Sequence, residues 1–263
     1  MDLQIDGNAA LITASSSGLG KAAANALARE GVDVVLNGRD SDRLEAAATD
    51  IEEDARGDVV IQQGDITDPD DIQTLVTRTV DEFGRLDHVV TSAGGPPSGR
   101  FLDMPIEAWY EAYDLLVMSV VRLVHEAEPH LKANGGGTIV TITSKSVKEA
   151  INALVLSNAV RMSVIGLEKT LSKELGPEIR ANAVLPGAHE TSRMEELMLD
   201  SVDRGEFDVY EDALQARAEN IPIGRIGKPI ELGNTVAFLS SPRSAFINGA
   251  AIPIDGGAGA SNL

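Results

Sequence analysis

The 263-residue chain contains no cysteine, which removes disulfides and thiolate metal sites from consideration. Aromatic side chains are nearly as scarce. One tryptophan, Trp109, and three tyrosines among 3% aromatic residues leave little for a platform that stacks single-stranded nucleic acid. Positive charge is in short supply too: 22 Lys+Arg, only seven of them lysine, face 41 Asp+Glu, for a net charge of -19. A field of that sign repels nucleic acid and anionic membrane surfaces. No apolar run approaches the ~18 residues of a membrane span. The opening residues 1–6 have neither a basic flank nor an apolar core. These absences predict a cytoplasmic protein whose partners are neither nucleic acid nor membrane. The acid excess fits a halophilic protein, whose self-repulsion concentrated salt would screen. Histidines His88, His125, His130 and His189 show no metal-ligand spacing, so no metal is expected.

Small residues and helical periodicity are plentiful. A short apolar run, 9–12, enters the turn Thr13-Ala14-Ser15-Ser16-Ser17-Gly18-Leu19-Gly20, and an alanine-rich segment with helical spacing follows. Strand, tight loop and helix in this order make a phosphate cradle, because loop N–H groups and the helix N-terminus present fixed positive charge to a pyrophosphate. A second strand over 32–37 closes a βαβ unit. An acid at its end would bind the ribose hydroxyls of NAD and repel a 2′-phosphate. The chain has Asn37-Gly38-Arg39 instead, and Arg39 favours NADP(H) over NAD(H).

The alternation continues. Helices are predicted at 41–55 and 69–83, with strands at 59–62, 86–91, 137–143 and 179–184, a long helix ending near 175, a helix at 229–240 and a last strand near 250–254. The pattern implies an α/β fold: a single Rossmann-type, doubly wound parallel sheet of about seven strands with helices on both faces, in one domain spanning 1–263. Residues 189–225 are charged and helix-forming. Met194, Leu197, Met198 and Phe207 would give them an apolar underside, so they read as a substrate lid, with Arg193 pairing with Glu195 or Glu196.

Six motifs occur together: the Thr13…Gly18-x-Gly20 loop, Asp65-Ile66, Ser92-Ala93-Gly94-Gly95, Ser144, Pro186-Gly187-x3-Thr191 and Ile254-Asp255-Gly256-Gly257. In order and spacing they resemble the short-chain dehydrogenase/reductase family over nearly the whole chain. The resemblance implies a homotetramer or dimer, with the last strand at a subunit contact. It further implies that Ser16, Gly18, Leu19 and Gly20, with Thr13, Ser15 and Ser17, form the pyrophosphate loop. Asp65 and Ile66 would meet the adenine, Ser92, Ala93 and Gly94 the ribose side, and Pro186, Gly187, His189 and Thr191 the nicotinamide. Members of this kind are often placed with oxoacyl-carrier-protein reductases.

The departures concern chemistry. Ala14 replaces the family's first loop glycine, which requires a negative φ there. Leu116 stands where the family has a proton-relaying asparagine. Counting from Ser144, the family's tyrosine and lysine fall on Ser157 and Arg161. A serine hydroxyl is shorter and far less acidic than a phenol, and a guanidinium stays charged, so it can fix ribose or orient an anion but does not readily relay protons. The sequence therefore predicts an oxidoreductase for a small carbonyl or alcohol substrate, with Ser144, Ser157 and Arg161 in its site and Lys148 as proton donor. His189 and Tyr210 are the next candidates. Two alternatives remain, a catalytically silent nucleotide-binding subunit or sensor and a non-redox enzyme on the same scaffold.

Overall fold

The computed structural model describes residues 1–261. Among them seven strands form one parallel sheet in the order β3-β2-β1-β4-β5-β6-β7. These are β1 (Ala9–Ile12), β2 (Asp33–Gly38), β3 (Val59–Gln63), β4 (His88–Thr91), β5 (Gly137–Ile142), β6 (Ile179–Pro186) and β7 (Ala251–Ile254). The main helices are α1 (Gly18–Arg29), α2 (Ser41–Glu52), α3 (Pro69–Phe83), α4 (Ile106–Tyr113), α5 (Ser119–Ala133), α6 (Val155–Glu174), α7 (Ser192–Asp203), α8 (Tyr210–Glu219) and α9 (Pro229–Ser240).

Successive strand residues point to opposite faces, so the apolar runs divide between two cores. Ala10, Ile12, Val34, Leu36, Val90 and Val140 pack beneath α1, α2 and α9. Their neighbours Leu11, Val35, Val89 and Ile139 pack beneath α3 and α5 on the other side. The alanine run of α1 has a steric purpose. A Cβ on Gly233 of α9 would lie 2.3 Å from the Ala22 carbonyl oxygen and 3.2 Å from Ala26 Cβ, so the two helices approach nearly backbone to backbone.

Helix ends follow their local chemistry. Asp40 caps α2 and Asp68 caps α3, each accepting a backbone N–H, and Gly84 at φ 70 closes α3. Between α4 and α5 the chain makes a π-helical turn over Asp114–Met118. Arg122 ties this turn to the β3–α3 loop by donating to Asp114 Oδ1 at 2.7 Å and to the Thr67 carbonyl at 3.1 Å. The first residues are clasped from the far end of the chain: Ser241 Oγ donates to the Leu3 carbonyl at 2.7 Å and Arg243 Nε to that of Asp2 at 2.9 Å. No helix among the described residues is long and apolar enough to cross a membrane.

Candidate active site

β1 lies between β2 and β4, so the connections leaving β1 and β4 part to opposite faces and open a crevice at the carboxyl ends of the strands. The loop after β1 is held by side chains turned inward. Thr13 Oγ1 donates to the Ser92 carbonyl at 2.7 Å and accepts from the Ser92 N–H at 2.8 Å, pinning the β1 and β4 loops together. Ser15, fully buried, donates to the Ile12 carbonyl at 2.8 Å and accepts from the Asn37 N–H at 2.9 Å. Both were expected among the nucleotide-loop residues, and the structure occupies their hydroxyls in shaping the loop, leaving Ser16, Ser17 and Gly18 at its rim. Asn37, which sequence reasoning used only to choose a cofactor, is a brace: Oδ1 accepts from Ala14 N–H at 3.2 Å and Nδ2 donates to the Gly64 carbonyl at 2.9 Å.

Ala14 corrects an expectation. Its φ is +45, in the left-handed region rather than at a negative value. The loop must turn the Ala14 carbonyl against the start of α1, where a Cβ on Gly20 would lie only 2.5 Å from that oxygen. Alanine adopts this conformation at a cost of about 1–2 kcal/mol, offset by the bonds that Asn37 and the buried Ser15 make.

The head of α1 suits an anion. Ser17, its N-cap, makes no side-chain capping bond, and the first turn carries no acid in a chain rich in acids. Its N–H groups therefore keep their partial positive charge for a ligand. Thr191 crosses over from β6, its Cγ2 3.6 Å from where a Cβ on Gly18 would stand, which brings the Pro186–Thr191 motif beside the phosphate loop. At the end of β2 the exposed Arg39 guanidinium lies 3.9 Å from Asp65 Oδ2. Burial works to raise the Asp65 pKa, but the Thr67 N–H and hydroxyl and the Arg39 charge outweigh it and hold the carboxyl below its ordinary value.

At the catalytic end, Ser144 caps the short turn Lys145–Val147 by accepting from Ser146 N–H at 3.1 Å. The turn points Ser146 and Val147 inward and Lys148 into solvent. Lys148, expected as the proton donor, therefore lies exposed rather than turned into the crevice, and the neighbouring Glu149 pairs with Lys145 at 2.6 Å. Ser157, buried in the first turn of α6, meets Ser146 Oγ at 3.2 Å. Ser146 was missed, and its only signal is its place two residues after Ser144 in a turn whose inward side the sequence does not specify.

Arg161, one turn further along α6, is 8% exposed, and no hydrogen-bond or ion-pair partner for it is found among the described residues; its Nε is wholly buried. Burial, helped by the like charge of Arg193, lowers its pKa to about 10, so it remains a cation at neutral pH. It borders a cavity of about 20 Å³ shared with Thr13, Thr91, Ser92, Ser119 and Thr141, room for a single water. Leu116 forms part of the same wall, on the π-helical turn where the resemblance puts an amide.

His189 is buried, with Nδ1 3.4 Å from the Gly187 carbonyl, and burial lowers its pKa, so it is neutral near pH 7. Tyr210 instead lines an open cleft of about 670 Å³ with Thr191, Met194, Leu214 and Arg225. Above the crevice, Met194 and Met198 of α7 pack with Ala213 and Ile226 in a small core of their own, with Leu197 and Phe207 at its edge. Arg193 pairs with Glu196 at 3.0 Å and donates to the Pro96 carbonyl at 2.9 Å, and Ser98 Oγ donates to Asp200 at 2.6 Å, so α7 is fastened to the loop after β4.

A seven-stranded parallel sheet with helices on both faces and a crevice at its switch point defines an α/β protein of the Rossmann class. Residues 13–259 match the family model described as enoyl-(acyl carrier protein) reductase. A 3-oxoacyl-[acyl-carrier-protein] reductase from Thermotoga maritima is 31% identical over 97% of this chain and 99% of its own. L-Sorbose reductase from Gluconobacter frateurii, solved with NADPH and L-sorbose, is 32% identical and superposes with a TM-score of 0.92 over 99% of this chain and 100% of its own. Actinorhodin polyketide ketoreductase, solved with NADPH, is 28% identical with a TM-score of 0.91, covering 97% of this chain and 98% of its own. The chain belongs to the short-chain dehydrogenase/reductase family.

Proposed function

We propose that this protein is an NADP(H)-dependent oxidoreductase that interconverts a carbonyl and an alcohol with a Ser144, Ser157 and Arg161 site in place of the tyrosine–lysine pair. One observation carries the reading: Arg161 is a buried guanidinium with no partner among the described residues, placed where the β1, β4 and β5 ends converge. A buried charge without acceptors is costly, and the hydroxyls of a nicotinamide ribose would supply them. The free head of α1 would hold the pyrophosphate, and Arg39, next to the Gly38 against which the rim serine Ser16 lies, the 2′-phosphate. Bound NADPH supplies a hydride. Ser144, with the Ser146–Ser157 pair, would hold and polarise the carbonyl oxygen, and Arg161 would stabilise negative charge gathering there.

The named relatives act on 3-oxoacyl, ketose and polyketide compounds, which supports a carbonyl or secondary alcohol as the substrate class. The same reading makes the protein a cytoplasmic homo-oligomer, dimer or tetramer. The test is a fluorescence titration with NADPH and NADH in concentrated KCl, followed by a screen of ketones and alcohols. Saturable binding that prefers NADPH, together with turnover, is the expected result. Binding without turnover would favour a silent nucleotide-binding subunit, a reading to which the solvent-facing Lys148 lends weight. No binding by the folded protein would overturn the proposal. Within that assay, Arg39→Asp should weaken NADPH binding ~10-fold or more and favour NADH, because it puts an acid where the 2′-phosphate would sit.

A further inference from the structure

The inner face of α6 carries a second ionisable group, Glu168, which the site as described does not use. Ser157, Arg161, Val164 and Glu168 follow at helical spacing and are all buried, so one stripe of α6 turns them toward the sheet. Glu168 is 3% exposed. Its Oε1 accepts a hydrogen bond from the Thr141 hydroxyl, and its Oε2 has no partner among the described residues. Thr141 in turn accepts from the Thr91 hydroxyl at 2.8 Å, the two threonines being direct register partners across β4 and β5. Both line the cavity beneath Arg161. An unbroken file of oxygen atoms thus runs from a buried carboxyl to a water-sized space at the floor of the crevice.

No charge answers Glu168 from the elements packed on α6. Arg180 on β6 is turned to the carbonyls of Leu239, Ser241, Ser244 and Ile247. Lys145 is paired with Glu149 and Asp114 with Arg122. Glu107, Tyr110, Glu111 and Tyr113 on α4 are exposed. Burial therefore dominates, pushing the Glu168 pKa up to about 8 against the opposing pull of the Thr141 bond. The group is a neutral acid near pH 7.

We propose that Glu168 is the proton store for this site, passing its proton along Thr141, Thr91 and a water in the cavity toward the substrate oxygen. The inference rests on the reductase reading above. In the reducing direction the hydride adds to the carbonyl carbon and the carbonyl π pair moves to oxygen. In the filled store the hydroxyls are turned the other way, Glu168 Oε1–H donating to Thr141, Thr141 to Thr91 and Thr91 to the water. From there the proton leaves Glu168 for Thr141 Oγ1, Thr141 gives its own to Thr91 Oγ1, Thr91 gives its own to the water, and the water supplies the proton that completes the alcohol. Afterwards Thr91 donates to Thr141 and Thr141 to the Glu168 carboxylate, the direction of the two bonds described above, until solvent returns the proton. Glu168 does not itself line the cavity, so it is a positioning residue that acts through the threonines.

The test compares full-length wild type with Glu168→Gln, which keeps the shape of the neutral acid, and Thr141→Val, which keeps the acid and breaks the file. Infrared titration of the nucleotide-free wild type should show a protonated-carboxyl band at pH 7 that fades as the pH passes about 8, and Glu168→Gln should lack it. Both variants should lose ~10-fold or more in kcat, with NADPH affinity unchanged, and the pH profile of turnover should lose its alkaline limb in Glu168→Gln. A wild type that turns over alongside variants of equal kcat and pH profile, or one without the carboxyl band, overturns the proton store alone. A wild type that binds NADPH but reduces no carbonyl compound overturns the reductase reading and the store together.

Discussion

Ala14 occupies a left-handed conformation that glycine adopts freely, so Ala14→Gly should raise thermal stability by about 1 kcal/mol, measurable as an increase in Tm. His88 and Glu168 give a pH signature of opposite signs. His88, buried between Asn8 and Thr138, has its pKa lowered to about 4 from 6.5, chiefly by burial. The unfolded chain binds that proton first, so the stability His88 contributes above about 6.5 is lost as pH falls toward 4. Glu168 has its pKa raised from 4.5 to about 8, so its contribution is complete below 4.5 and is lost as pH rises through 8. Thermal unfolding followed against pH should therefore show a maximum on the mildly acidic side of neutrality, and Glu168→Gln should flatten the alkaline flank. At this scale the sequence spoke unevenly. Ser157 and Arg161 were singled out by the family resemblance, counting from Ser144; helical spacing adds only that they share one buried face of α6. Ser146 and Thr141 were not, because a hydroxyl two residues along a turn or strand acquires its partner only when distant segments pack. Lys148 misled for a related reason: its distance from Ser144 along the chain said nothing about which way the short turn would point it.

The elements were read almost residue for residue where punctuation is strong, as at α3, which Asp68 and Pro69 open and Gly84 closes. The π-helical turn at Asp114–Met118 escaped, since a single added residue per turn leaves no mark on an apolar pattern of 3–4 spacing. Nor did the sequence reveal that α1 is rich in alanine because α9 lies against it. That contact makes a sharp prediction: Gly233→Val should destabilise the fold by about 1–3 kcal/mol, seen in denaturant unfolding, because its Cβ would run into the Ala22 carbonyl and crowd Ala26. The fastening of α7 can be tested in the same way. Asp200→Ala frees Ser98 and should raise the substrate KM severalfold while leaving NADPH affinity in place, if α7 closes over the substrate.

For the molecule as a whole, the net charge of -19 is a source of self-repulsion that salt screens. Raising KCl from ~0.1 M to ~1 M shortens the Debye length from about 10 Å to about 3 Å. Tm followed by circular dichroism should rise over that range as repulsion among exposed carboxylates is screened; a falling Tm would mean that the surface ion pairs outweigh it. The packing of α1 against α9 and the clasp of Ser241 and Arg243 on Leu3 and Asp2 also bear on how the chain is made. A ribosome releases the first βαβ unit some two hundred residues before the helix that covers it. Until then α1 presents Ala22 and Ala26 with no α9 to meet them, so the nucleotide loop is made well before the helix that braces α1. A nascent chain halted before 229 should therefore be sensitive to protease and unable to retain NADPH, whatever the quality of its phosphate cradle.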